Sequence, residues 1–284
     1  MPNVDLIKLD RVSPFRKVAI GTWQTAYDPT VYGSLELRTE AVERYIDVYR
    51  AATKKHLTMT HIVTKAVARA LSECKDANAI LRFNRIYLRR SVDVSVLVVI
   101  PSADGSKVDL SAAVVRHADQ ITLAEQIDQL ETQVGGIRKG QDKALQKTKD
   151  TMKRIPFLFM NTFLKILAFL MYDLNLDLSA FGVPRDQFGG ATVTNVGSLG
   201  LDLAWVPLVP YSRVPIWLAP GVVHDKAVVE NGKVVPGRVM MLNASFDHRF
   251  IDGYHAMVLS RTIRKIFADP FAELDPIPGT PTLV

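Results

Sequence analysis

The apolar positions of the chain fall into alternating helix-like and strand-like runs. From Leu37 to Ala52, the residues Leu37, Val42, Tyr45, Ile46, Tyr49 and Ala52 recur at helical spacing. A second helix follows, with Thr58 or Thr60 able to cap it and Ile62, Val63, Ala66, Val67, Ala70 and Leu71 on its buried face. Ser91 to Ile100 is rich in valine, with apolar residues on both faces, as in a central strand. Pro101 and Asp104-Gly105 would end it, and Leu110 to Val115 reads as another strand. Thr122-Leu123-Ala124-Glu125 is a capping box, and Ile127, Leu130 and Val134 continue an apolar stripe that Gly135-Gly136 would stop. Before all of these, residues 1 to 35 read as an arm followed by a short strand or helix.

The second half opens with the most apolar stretch, Ile155 to Leu174. Lys165 interrupts it, so its charge-free pieces fall short of the roughly 20 residues a membrane span needs. Two readings remain: a buried or subunit-facing helix, or a helix lying on a membrane, drawn down by the basic run at 137 to 154. Thr192 to Gly197 is a strand ending in a glycine turn, and Val214 to Leu218 is a short strand of its own. Ala227 to Val235 is a hairpin, with Asn231-Gly232 suited to a type I′ turn. A strand from Arg238 to Phe246 follows, then a helix from Tyr254 to Phe267. That helix carries Ala256, Leu259, Ile263, Ile266 and Phe267 on one face, and Asp269-Pro270 ends it. With no internal repeat and no flexible linker, one mixed α/β domain over residues 1–284 is the economical reading.

Composition narrows the classes. The 284 residues are 48% hydrophobic, enough for a sizeable core. The balance of 35 basic to 29 acidic residues, +6, suits an anionic ligand such as a nucleotide-bearing cofactor, or an anionic membrane surface. No Lys/Arg run with interleaved aromatics appears, which argues against nucleic acid. The single cysteine, Cys74, excludes an internal disulfide, fits a reducing cytosol, and reads as a small buried residue. The start, Met-Pro-Asn-Val-Asp, lacks the basic and apolar regions of a signal peptide.

The chemistry concentrates on Ser245 to Gly253, a turn between a strand and a helix that holds His248, Asp247 and Asp252. Gly253 is expected to supply a backbone angle that other residues resist. An imidazole, with an ordinary pKa of about 6.5, can take a proton from a thiol or hydroxyl attacking an acyl group. The carbonyl oxygen then gains negative charge, and Thr194 at the end of its strand is a candidate donor to it. There is no Gly-x-Ser-x-Gly elbow, and Cys74 has no local activating signal. Direct transfer between two bound substrates needs no protein nucleophile. A metal site on His248, Asp252 and His255 is not favoured: Gly253 breaks the helix those spacings need, and no cysteine or second histidine pair supports it. Spacing alone leaves one further reading, a charged turn tied by a salt bridge.

Asp247-His248-Arg249 with Asp252-Gly253 resembles the His-x-x-x-Asp-Gly signature of the dihydrolipoamide acyltransferases, the core subunits of 2-oxo acid dehydrogenase complexes. Chloramphenicol acetyltransferase shares that signature, and Asp252-Gly253-Tyr254-His255 looks somewhat like that enzyme as well. Thr192-Val193-Thr194-Asn195-Val196-Gly197 resembles the family's Thr-Ile-Thr-Asn-x-Gly strand. Thr60 to Leu71 and Asp93 to Val99 resemble its helix and following strand, so the likeness covers most of residues 37 to 270. The resemblance implies an α/β, chloramphenicol-acetyltransferase-like mixed-sheet sandwich. It implies a homotrimer, or a multiple of trimers, with active sites between subunits. Coenzyme A would be a substrate, exchanging an acyl group with a dihydrolipoyl thiol, and no cofactor would be covalently bound. His248 would be the general base and Thr194 the oxyanion donor. Asp252 would be an orienting residue paired to an arginine near the N-terminus, for which Arg16 is the candidate, with Asn195, Gly197 and Gly253 in support.

The sequence also departs from the family. No lipoyl or peripheral-subunit-binding domain precedes the catalytic part, and the family's Gly-Leu-x-x-Pro-Val run is replaced near Ser106-Lys107-Val108-Asp109. The segment at 155–174 looks like an insertion. The expected protein is thus a stand-alone cytoplasmic acyltransferase whose acceptor is a separate lipoyl protein, another thiol, or a small alcohol or amine. The competing reading is a non-catalytic trimeric scaffold, or a membrane-associated assembly protein, of the same fold.

Overall fold

A computed structural model describes residues 2–9, 28–101, 108–138, 156 and 159–278. In chain order the elements are β1 Leu6–Lys8, β2 Thr30–Arg38, α1 Glu40–Thr53, α2 Met59–Glu73, β3 Ala79–Arg82 and β4 Arg85–Arg89. Then come β5 Val94–Pro101, β6 Val108–Val115, α3 Leu123–Arg138, α4 Met160–Ala168 and β7 Ala191–Val193. The chain closes with β8 Ile216–Glu230, β9 Lys233–Asp247, α5 Gly253–Ala268 and α6 Pro270–Glu273.

Six strands form one mixed sheet in the order β2-β9-β8-β7-β5-β6, with β7 parallel to both of its neighbours. The strands β1, β4 and β3 form a small separate antiparallel sheet. Side chains alternate across the large sheet. Ile216, Leu218, Met240 and Leu242 face the main core with α1, α2, α3 and α5, whereas Trp217 faces a second cluster with Phe188 and Val214.

The strand β2 explains where the helical reading of residues 37–52 begins too early. Leu37 is the last inward residue of an alternating strand, and the helix starts at Glu40 after the buried Thr39. Glu40 opens α1 while its carboxylate takes hydrogen bonds from the Arg38 guanidinium and the Arg238 backbone N–H, which hold it down to about 2. The helix α3 runs through Gly135-Gly136 to Arg138 rather than stopping there. Glycine costs a helix interior about 1 kcal/mol, which docking of the buried Ile137 offsets. Val214 to Leu218 is not a separate strand but leads into β8, which continues through a bulge between Pro220 and Val223. The expected type I′ turn holds: Asn231 and Gly232 both have positive φ, 50° and 76°. The β3–β4 hairpin carries no such signal, because Phe83 and Asn84 make its positive-φ turn without a glycine.

In the apolar segment α4 passes into one wide turn over Phe169–Asp173. Ala168, Met171 and Tyr172 pack on Val4 and Ile80, while Phe159, Ile166 and Phe169 stay exposed. Among the described residues no helix is long and apolar enough to cross a membrane.

Thr58 caps α2, and the reciprocal partner is His61, whose Nδ1 lies 3.1 Å from the Thr58 backbone N and 2.6 Å from its hydroxyl. Burial first, then the nearby positive charges of His56 and Arg50, push the His61 imidazole down to about 4. The unfolded chain therefore binds this proton before the folded one. Its stabilisation is complete above pH 6.5 and is lost as pH falls toward 4, by about 2–3 kcal/mol. Glutamine can keep the capping box without titrating. Urea midpoints measured from pH 7 to pH 4 should fall less steeply in His61→Gln than in the wild type; equal slopes would exclude His61 as a source of the acid sensitivity.

Candidate active site

The His248 turn is built from its neighbours' hydrogen bonds. The Asp247 N–H donates to the Pro215 carbonyl at 2.9 Å, and the His248 N–H to the Pro29 carbonyl at 2.8 Å. The Phe250 and Ile251 N–H groups fold back on the Asp247 carbonyl at 3.3 and 3.0 Å, and both side chains are buried. Arg249 donates to the Asp247 carboxylate from its backbone, Nε and Nη2, the last at 2.5 Å. Both side chains of this pair are below a tenth exposed. The salt-bridge reading of the turn is therefore right, and it leaves His248 out of the bridge.

His248 is partly exposed, and its Nδ1 lies 2.7 Å from the Ile251 carbonyl oxygen. A carbonyl can only accept, so Nδ1 donates here, and in the neutral ring Nε2 is the nitrogen left with a lone pair. Asp252 caps α5: its Oδ1 accepts the Tyr254 and His255 N–H groups at 3.0 and 3.3 Å, and the His255 ring Nδ1 stands 2.7 Å from that oxygen and 3.3 Å from the Asp252 backbone N. Gly253 does not need the special angle expected of it. It is the first residue of α5, lies outside the positive-φ set, and a Cβ there would meet nothing within 4 Å. It borders instead an apolar cavity between α5 and the sheet.

The second set of predicted residues sits elsewhere. Thr194 follows the last residue of β7 and donates its N–H to the Leu218 carbonyl at 2.8 Å. The Asn195 amide donates to the Thr60 hydroxyl at 3.0 Å and accepts the Ser198 N–H at 3.1 Å, pinning the loop to the start of α2. Gly197 lies against the β8 bulge, where a Cβ would stand 2.3 Å from the Gly221 carbonyl oxygen. Gly197→Ala must move backbone and should lower the melting temperature clearly while shifting the Thr194 loop; an unchanged melting curve would show that the contact relaxes freely.

Register places the two sets apart. Val193 pairs with Leu218, so Thr194 is level with Ala219 and, across β8, with Asn243. His248 lies five residues further along β9 and its turn. At about 3.3 Å per residue and 4.8 Å per strand, that separates them by about 20 Å within one chain. Arg16, the proposed partner of Asp252, lies outside the described residues. Among the described residues no group of three His, Cys, Asp or Glu could hold a metal ion. Cys74 is buried at the end of α2, and burial pushes its thiol up, which suits a core residue and not a nucleophile.

Residues 10–152 and 184–274 match the family described as 2-oxoacid dehydrogenases acyltransferase (catalytic domain). The unmatched stretch between them contains α4 and its wide turn. The dihydrolipoyllysine-residue succinyltransferase component of the 2-oxoglutarate dehydrogenase complex of Bartonella vinsonii subsp. berkhoffii is 26% identical over 229 residues, covering 80% of this chain and 44% of that protein. The chain spans less than half the length of the curated relatives it matches. The probable dihydrolipoamide acetyltransferase of Listeria monocytogenes 4b F2365 superposes with a TM-score of 0.61 at 17% identity, covering 96% of this chain and 97% of that one. A chloramphenicol acetyltransferase superposes with a TM-score of 0.50 at 12% identity, over 93% of this chain and 100% of the other. The expected chloramphenicol-acetyltransferase-like α/β fold is thus the observed one.

Proposed function

The chain belongs to the family of 2-oxoacid dehydrogenase acyltransferase catalytic domains, and from that premise we propose that it moves an acyl group between coenzyme A and the thiol of a dihydrolipoyl group. The observation that carries the reading is the His248 Nδ1 contact with the Ile251 carbonyl, which frees Nε2 as a base on a rigid turn. Nε2 takes the proton of the acceptor thiol as its sulfur attacks the thioester carbonyl. The tetrahedral oxyanion takes a hydrogen bond from the Thr194 hydroxyl. Collapse breaks the bond to the coenzyme A sulfur, which recovers the proton from Nε2. Asp252 orients the start of α5 beside the turn, with Arg16 as its proposed partner, and no covalently bound cofactor takes part.

With about 20 Å between them in one chain, His248 and Thr194 meet only if a second copy supplies one of the two. The site then lies between subunits, which fits the homotrimer that the family resemblance implies, and the acceptor is a dihydrolipoyl group kept as a free dithiol. The segment carrying α4 is an insertion in this scheme.

Subunit mixing tests both points. His248→Ala and Thr194→Ala proteins, each inactive alone, should regain transfer to dihydrolipoamide in roughly a quarter of sites when co-refolded in equal amounts. No recovery, from two folded variants of an active wild type, would place both residues in one chain's site or outside it.

A further inference from the structure

Between α5 and the sheet lies a cavity of about 350 Å³. Small residues create it: Gly33 of β2 and Ala244 of β9 are direct neighbours in the sheet, and Gly253 and Ala256 of α5 stand over them. Ile216 and Leu218 are buried in its floor, and half-exposed Met257 stands at its open side. No charged side chain lines it. On β9 the positions Leu242, Ala244 and Phe246 face it alternately, and His248 follows two residues after Phe246, in the turn that ends the strand.

We propose that this cavity takes the acyl chain of the transferred group, and that the enzyme is selective for medium-length neutral acyl chains. The inference rests on the acyl-transfer reading above. A cavity of about 150 Å³ holds one benzene ring, so this one has room for a chain of roughly eight carbons. Each methylene that enters an apolar site favours binding by roughly fourfold. A terminal carboxylate has no cation to meet inside and is rejected.

The test compares acetyl-, butyryl-, succinyl- and octanoyl-coenzyme A as donors to dihydrolipoamide, with Gly33→Val and Ala256→Leu proteins alongside. A Cβ at Gly33 would meet only the Phe246 ring at 3.7 Å, an ordinary contact, so valine fits the strand and fills the cavity. In the wild type, kcat/KM for octanoyl should exceed that for acetyl at least tenfold, and butyryl should exceed succinyl at least tenfold. Either variant should erase most of the octanoyl advantage. Acetyl transfer with a flat chain-length profile, or an octanoyl advantage untouched by both variants, overturns the cavity's role and leaves acyl transfer standing. Failure with every donor sinks the acyl-transfer reading instead. Octanamide, an uncharged probe, then decides on the cavity: a thermal shift that Gly33→Val removes supports an acyl-chain site, and no shift overturns it.

Discussion

His248→Ala is expected to leave the fold intact and to lower kcat for acyl transfer to dihydrolipoamide by roughly 10²–10⁴-fold, the range supplied by a positioned acid–base group. That corresponds to about 3–5 kcal/mol of barrier. The fold survives because the turn is held by the Asp247–Arg249 pair and by backbone hydrogen bonds to Pro215 and Pro29 that do not involve the imidazole. The ring contributes one hydrogen bond of its own, to the Ile251 carbonyl, worth about 1 kcal/mol. A substitution with so small a structural effect and so large a kinetic one separates a base from a spacer. A folded variant that keeps more than a tenth of wild-type kcat would remove His248 from the chemistry.

Asp247→Ala should be the most damaging single change to stability near the site, costing roughly 3–5 kcal/mol. The Arg249 side chain is 9% exposed and would be left charged with its carboxylate gone. Thermal unfolding should show a fall in melting temperature of roughly 10 °C. The double change Asp247→Leu with Arg249→Met removes both charges and should regain most of the loss, since the cost lies in the uncompensated ion and not in the missing attraction. A double variant no more stable than Asp247→Ala would locate the loss elsewhere, in the Asp247 hydrogen bond to the Arg249 backbone N–H.

Much of this was legible where pattern and punctuation agreed. The buried face of α2, Ile62 to Leu71, and that of α5 from Leu259 onward obey helical spacing without interruption, and Thr58 and Thr122 mark helix starts by capping chemistry. Asn231-Gly232 announces its turn because only residues tolerant of positive φ fit there. The errors lie where one residue serves two patterns. Leu37 fits a helical stripe and the inward face of β2 equally well, and Gly135-Gly136 punctuates only when nothing beyond it is docked. Gly253 illustrates a different limit: its role follows from empty space beside it, which no local pattern encodes. The same holds for Gly33 and Ala244, whose pairing across β2 and β9 depends on register between residues far apart in sequence. The separation of Thr194 from His248 likewise needs the strand order.

The long β8–β9 hairpin bears on how the chain can change length. Its tip lies 16 positions from His248 along β9, with Val229 and Val234 exposed beside it. Adding or removing one residue from each strand near Asn231-Gly232 lengthens or shortens the arm in step, and the histidine keeps its face. An unpaired change between Gly232 and Leu242 turns Leu242, Ala244 and Phe246 to the other side of the sheet together, because side chains alternate with period two. The tip is thus free to diverge in length by matched pairs, while the rest of β9 is bound to its parity.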